Sequence, residues 1–469
     1  MIPCCKTSAT AVPWPVICTI RTIRTRCRAQ QQPANWPQPQ PERGGQPMSP
    51  PLSLPTLTSR YQVKRDTLLA AAARQFNARG VKGATLGEIA ASVGLVTTSL
   101  TYYYRKKEDL ATACFLRAIV AHEALAVQAA TASGVAARVV RFFELHAELM
   151  AAIERGEQPA LMVFSDIRAL PATQASAVFA AYTDLFRRVR SLLDGPETVG
   201  LQRAELNART HLLISAVHWL RAWIPRYEVD EYPRVAARVS ALMLHGLAAP
   251  GISWPALPAM AALGLGTVAS APAEDTADAF LRAATELVNE QGYRGASVDK
   301  ISARLHVTKG SFYHHNETKH DLISACFERS FEVLRQRLRA AEQAEGVGWL
   351  RLCAAADSLV QFQLGPRGPL LRSTATSALP DDAHRKLVRL SLQRLTERIA
   401  SLLVDAMVDG SVRPLDPAIA AQLLSSAINA TAELQRWVPG VHAGNASALY
   451  ARPALLGLLC AGLPPAQAA

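Results

Sequence analysis

Apolar residues recur at helical spacing from about residue 61 onward, in segments separated by glycine, proline or short polar runs. Leu68, Leu69, Ala72 and Phe76 form one such stripe, and Gly80, able to take a positive φ without a Cβ clash, marks its end. Thr85 and Glu88 then make a capping box: the hydroxyl can accept from the Glu88 amide and the carboxylate can reach back. A second helix is predicted there, burying Leu86, Ile89, Ala90 and Val93 and ending at Gly94. Thr97–Tyr104 reads as a short helix that is polar except at Leu100 and its tyrosines, and Arg105, Lys106 and Lys107 lead into a longer helix at Asp109. Residues 118–247 and 330–461 are rich in Ala and Leu, with amphipathic stretches such as Leu212–Leu220. The pattern predicts an all-α fold.

The pattern also repeats. Residues 69–117 align without a gap on 281–329, pairing Asn77 with Asn289, Gly80 with Gly292, Ile89 with Ile301, Ser99 with Ser311 and Lys107 with Lys319. Farther on, Trp223 and Pro225 match Trp437 and Pro439, so the repeated unit is about 190 residues long. The chain therefore divides into a tail (1–58), a first head (59–117) with its helical domain (118–247), a linker (248–273), and a second head (274–329) with its helical domain (330–461).

Helix, tight turn, short polar helix and basic residues is the layout of a helix-turn-helix. The second copy, with Thr308, Lys309, Gly310, Ser311, Phe312, Tyr313, His314 and His315 followed by Lys319 and Leu322, resembles the tetracycline-repressor (TetR) type of bacterial transcription regulator. The first copy matches through Ser99, Leu100, Tyr103, Tyr104 and Lys107–Leu110. Asn316 departs from the family's core Phe, and Thr97, Thr98 and Thr101 stand where Lys, Gly and Tyr are usual.

The resemblance implies that each recognition helix reads duplex DNA. In the first head, Thr97, Thr98 and Thr101 suit base edges or the thymine methyl, and Tyr102 and Tyr103 suit phosphates. In the second, Lys309, Ser311, Tyr313 and His314 take those roles, with His315 facing either DNA or the core. Lys107 and Lys319 would reach the phosphate backbone. The resemblance further implies an effector cavity in each helical domain and a four-helix dimer interface from 205–224 with 232–247 and 416–437 with 446–461. Phe142, Phe143, Phe164, Phe179 and Trp219 read as core residues. With two copies on one chain, pairing is expected within it as a pseudodimer. A coil of the linker's length spans about 30 Å and holds the copies at an effective concentration near millimolar.

The formal net charge is +12, but seven basic residues and one acidic residue put half of it in the first 60 positions. The first head (Tyr61–Asp109) has eight basic and four acidic residues, the second (Glu274–Leu322) six and eight, so the first should hold DNA more strongly. The tail is rich in Pro, Gln and Arg and reads as disordered, as an organellar transit peptide, or as sequence upstream of a true start at Met48. Eight cysteines without C-x-x-C spacing make neither a zinc nor a disulfide framework and fit a reducing cytoplasm. Ala248–Ala273 is the uncharged run nearest to a membrane span, but its prolines and glycines break it. Gly264–Ala269 matches a dinucleotide fingerprint without its strand, and no nucleophile elbow, Walker loop or metal spacing occurs.

These readings lead to a cytoplasmic, non-enzymatic DNA-binding transcription regulator without cofactor or metal. It is expected to be a repressor released by a small molecule, acting on an asymmetric operator because the two heads differ at nearly every reading position. The alternative is an interaction or sensor protein in which one or both heads no longer bind DNA.

Overall fold

The computed structural model describes residues 59–265, 276–306, 318–379 and 382–463. Among these there is no strand, only an isolated bridge between Ala248 and Val412. The tail lies outside the described residues.

In the first head, α1 (Ser59–Gly83) buries Leu68, Leu69, Ala72 and Phe76 on one face, and its helical geometry breaks at Gly80 with φ 69° and ψ 163°. A side chain would be strained there. The predicted capping box starts α2 (Leu86–Ala91): the Glu88 amide donates to Thr85 Oγ1 at 3.2 Å, and the Thr85 amide donates to Glu88 Oε2 at 3.1 Å. The recognition helix α3 (Thr97–Tyr103) is held by Leu100, which is fully buried. Next, α4 (Lys107–Ala129) packs along α1 through residues including Cys114 and Phe115. By length and composition α4 would suffice to cross a bilayer, which the prolines of 248–273 do not allow that segment. Here α4 contributes Leu110, Phe115, Ala118 and Ile119 to the core.

The first helical domain consists of α5 (Val135–Glu154), α6 (Ala172–Arg190), α7 (Arg203–Trp223) and α8 (Tyr232–His245), with α5 packed on α8 and α4 on α6. The second copy repeats the plan with α9 (Thr276–Gly295), α10 (Val298–Arg304), α11 (Lys319–Glu342), α12 (Gly348–Leu364), α13 (Asp382–Val408) and α14 (Pro417–Ala430). It ends in a short α15 (Leu434–Trp437), a π-helical turn at Ser447–Ala451 and α16 (Arg452–Leu456). The terminal helix is thus shorter than the 446–461 expected, because Gly457 turns the chain with φ 92°.

The copies pack against each other through α7 and α14, with α8, α15 and α16 alongside. Asn207 donates to the Trp437 carbonyl at 2.9 Å, and Trp219 Nε1 to Gln422 Oε1 at 3.1 Å. The fully buried Arg209 lies 3.6 Å from buried Glu205 and donates to the Leu458 carbonyl at 2.9 Å, so this guanidinium is paired and hydrogen-bonded. Where the last helix of each copy ends, the two backbones cross at Gly246 and Gly457. A Cβ on Gly246 would stand 2.3 Å from the Leu456 carbonyl carbon, and one on Gly457 2.4 Å from Leu244 O, so neither position tolerates a side chain.

Residues 248–265 lie on the second copy: the Ala249 amide donates to Ser411 O at 3.1 Å, Trp349 Nε1 donates to Ser253 O at 3.0 Å, and Leu265 is buried. Burial pushes the Cys114 and Cys326 thiols up to about 12, so both remain protonated and behave as small apolar groups.

Candidate nucleic-acid interface

With Leu100 pinned in the core, α3 turns Thr97, Thr98 and Ser99 outward, and all three are exposed. Tyr102 is 79% exposed and meets Tyr103 edge-on, with ring centroids 5.6 Å apart. Thr101 is half-buried and its hydroxyl donates to Thr98 O at 2.9 Å, leaving its oxygen lone pairs and its methyl available to a base. Tyr103 is half-buried and stacks on Tyr61 with ring centroids 4.9 Å apart, which ties α3 to the start of α1. Tyr104 accepts from Arg65 Nε at 3.1 Å. Desolvation raises its phenol pKa, opposed by that guanidinium, so it stays protonated.

Lys107 occupies a position that the sequence does not reveal. Its Nζ donates to Lys82 O at 3.1 Å and to Ala84 O at 3.0 Å, clamping the turn between α1 and α2 to the start of α4. An ammonium has three donors, so one remains for a phosphate. Arg105 and Lys106 just before it are exposed and place two cations immediately after the uncharged α3. The basic triplet was visible in the sequence, but only the structure separates its clamp from its two exposed members.

In the second head Lys309, Ser311, Tyr313, His314 and His315 lie outside the described residues. Lys319 opens α11 where Lys107 opens α4, behind a capping box in which the Thr318 side chain accepts from the Asp321 amide. His306 takes the place of Gly94 and holds φ at 55°, a left-handed conformation that costs a residue with a Cβ about 1–2 kcal/mol.

The first helical domain contains a polar cluster that spacing did not disclose. The His146 Nδ1 atom lies 2.7 Å from Phe142 O, and a carbonyl only accepts, so Nδ1 carries the proton and Nε2 is an acceptor. His122 Nδ1, 3.0 Å from that Nε2, is therefore the donor, which fixes the His146 ring as neutral. His218 lies against His122 and Phe164, with Tyr182 3.5 Å from its Nδ1. Burial holds His146 down to about 4 and His218 to about 3. His122 lies well below its ordinary value through burial and then its two histidine neighbours. Phe142 and Phe143 are core residues, whereas Phe164 and Trp219 are only partly buried, at the histidine cluster and the copy interface respectively.

Each copy thus carries a helix-turn-helix head on a larger helical domain. Residues 68–114 and 280–326 each match the family described as bacterial regulatory proteins, tetR family. The transposon Tn10 TetC protein of Escherichia coli is 23% identical over 152 residues, covering 32% of this chain and 76% of that protein. The HTH-type transcriptional regulator UidR of Escherichia coli (strain K12) is 26% identical over 154 residues, covering 32% and 77%. The HTH-type transcriptional repressor DhaR of Mycobacterium sp. (strain GP1) is 26% identical over 131 residues, covering 28% and 66%. The chain belongs to the tetR family, with two tandem copies of its DNA-binding head, and is a DNA-binding transcription regulator.

Proposed function

We propose that this regulator is a repressor that holds an asymmetric operator with two unlike heads paired within one chain, and that releases it when a small molecule enters a helical domain. The recognition helix carries the reading. A buried Leu100 presents exposed Thr97, Thr98 and Tyr102 beside exposed Arg105 and Lys106, an arrangement that suits base edges in the major groove and the flanking phosphates. A relative named as a repressor supports the sign of regulation. The cross-copy hydrogen bonds of Asn207 and Trp219 and the backbone crossing at Gly246 support pairing within the chain.

The effector site is assigned to the first copy, where His122, His146, His218 and Tyr182 place polar groups among aromatic rings. The protein acts by binding and not by catalysis, in the cytoplasm. Lys319, Lys309, Ser311, Tyr313, His314 and His315 are assigned to the second half-site.

Selection from a random duplex pool tests the operator. Two different half-sites in fixed order are expected, whereas a perfect inverted repeat opposes the reading and a single half-site assigns a silent second head. Light scattering should give one chain mass of 50.5 kDa at micromolar concentration, and twice that value opposes pairing within the chain.

A further inference from the structure

Between the heads, where α1 and α9 break at Gly80 and Gly292, opens a cleft of about 770 Å³. Its lining includes Arg79, which is ion-paired with Glu88, together with Lys82, Arg168, Arg372 and Arg385, and one carboxylate among the described residues, Asp166. Asp166 Oδ2 accepts from the Val81 amide at 2.5 Å, and a Cβ on Gly292 would lie 3.5 Å from Oδ1, so one side chain touches the helix break of both heads. Glu433 faces two guanidiniums, with Arg168 at 2.6 Å and Arg372 beside it, and Arg168 also feels the Glu290 carboxylate. Burial, and then the neighbouring Arg168, pushes Arg372 down to about 9.

The repeat shows that the two copies differ in charge at this cleft. Asn77 donates to Leu161 O at 2.8 Å and accepts from the Val163 amide; Asn289 donates to Leu370 O at 2.9 Å and accepts from the Arg372 amide. These matched bonds fix the register of the two 3-10 turns, Phe164–Ala169 and Ser373–Ala378. Val163 corresponds to Arg372, and Asp166 to Ala375. The second copy has thus gained a guanidinium at Arg372 but lacks both the carboxylate of Asp166 and the guanidinium of Arg168, whose counterpart is Ser377, so its turn carries one positive charge where that of the first copy is balanced.

We propose that the cleft binds a phosphate-type anion lying between the two heads, at a place distinct from the effector site of the helical domains. Its volume accommodates a diphosphate with hydration water. Because the walls belong to both heads, an occupant there ties their spacing to the anion. The phosphate has two sources, a free phosphorylated molecule or the DNA backbone.

Two substitutions move the cleft's charge in opposite directions without removing a cation. Asp166→Asn deletes the carboxylate charge and keeps an oxygen for the Val81 amide, and Ala375→Asp adds a carboxylate at the corresponding position. Titration of the full chain with inorganic pyrophosphate at constant ionic strength, followed by calorimetry, should show binding that Asp166→Asn tightens and Ala375→Asp weakens, each about five- to tenfold as one nearby charge in a partly solvated cleft requires. That result assigns a free anion. If pyrophosphate does not bind but Ala375→Asp lowers duplex-DNA affinity by the same factor and reduces the salt slope by about one, the phosphate is that of the DNA backbone. Silence in both arms overturns the proposal, as does pyrophosphate binding indifferent to both substitutions, which is an adventitious ion only. Should Ala375→Asp fail to fold, Asp166→Asn decides alone, by its gain in pyrophosphate or duplex affinity or by the absence of any gain.

Discussion

Acid should unfold this protein from the interior of its first copy. His146 and His211 are 1% and 5% exposed, and each spends a ring proton on a carbonyl: Nδ1 of His146 on Phe142, and Nε2 of His211 on Ala430 across the copy interface at 2.9 Å. Burial holds both down to about 4 in the folded chain, while an exposed histidine titrates near 6.5. The unfolded chain therefore takes up protons below about pH 6.5 that the folded chain refuses until about pH 4. Stability is full above the unfolded value and falls as pH descends through this window. At pH 5 the linkage amounts to about 2 kcal/mol per ring, about 4 kcal/mol for the two. His122 and His218, shifted the same way, add to the loss. Asp166 and Asp357 work in the opposite sense, since burial raises their carboxyls and their protonation favours the fold. Because that effect develops above the ordinary carboxyl range, it offsets part of the histidine loss.

Urea unfolding at pH 7.5, 6 and 5, followed by far-UV circular dichroism, measures the loss. His146→Gln retains a polar side chain and cannot titrate, so its loss between pH 7.5 and pH 5 should be smaller than that of the parent by about 2 kcal/mol. Identical pH slopes for variant and parent would refute the neutral histidine chain. Hydrogen exchange at pH 5 should locate the first opening in α4, α5 and α7. The corresponding interior of the second copy is lined by Leu338, Leu352, Leu359, Ile399, Leu402 and Leu424, and no histidine among the described residues of that copy is buried.

Arg105→Ala and Lys106→Ala should each reduce the salt slope of DNA binding by about one with the melting temperature unchanged, which anisotropy titrations and calorimetry check together. Lys107→Ala should weaken DNA binding uniformly across sequences and also cost about 1–2 kcal/mol of stability, because two carbonyls lose their donor; an unchanged melting temperature would leave phosphate contact as its whole role. His306→Gly should stabilise the second head by about 1 kcal/mol, and a loss would mean that the imidazole makes compensating contacts. Gly246→Ala should separate the copies at their crossing point, seen as a larger radius in small-angle scattering, and an unchanged radius would show that the crossing is not needed for pairing.

What was legible in the sequence is what local chemistry determines. The capping box at Thr85 and Glu88, the breaks at Gly80 and Gly292 and the anchor at Leu100 each follow from residue type at short spacing, and each is present in the fold. Side-chain direction does not follow in this way. A lysine at the start of a helix reads the same whether its ammonium reaches a phosphate or, as Lys107 does, the carbonyls of Lys82 and Ala84. The histidine chain was hidden by distance, since His122 and His146 are 24 residues apart and meet only when α4 and α5 pack. The inter-head cleft was hidden by the repeat itself. The heads align at an offset of 212 and the late Trp-Pro motif at 214, but the hydrogen bonds of Asn77 and Asn289 pair Leu161 with Leu370, an offset of 209. Three residues of slippage carry Asp166 from Ala375 to Ala378 when the offset of the heads is extended through the turn. Structure corrects the register, and that correction shows that the copies differ where the two heads meet. The junction between the heads is thus itself asymmetric, with one carboxylate, Asp166, at the breaks of both.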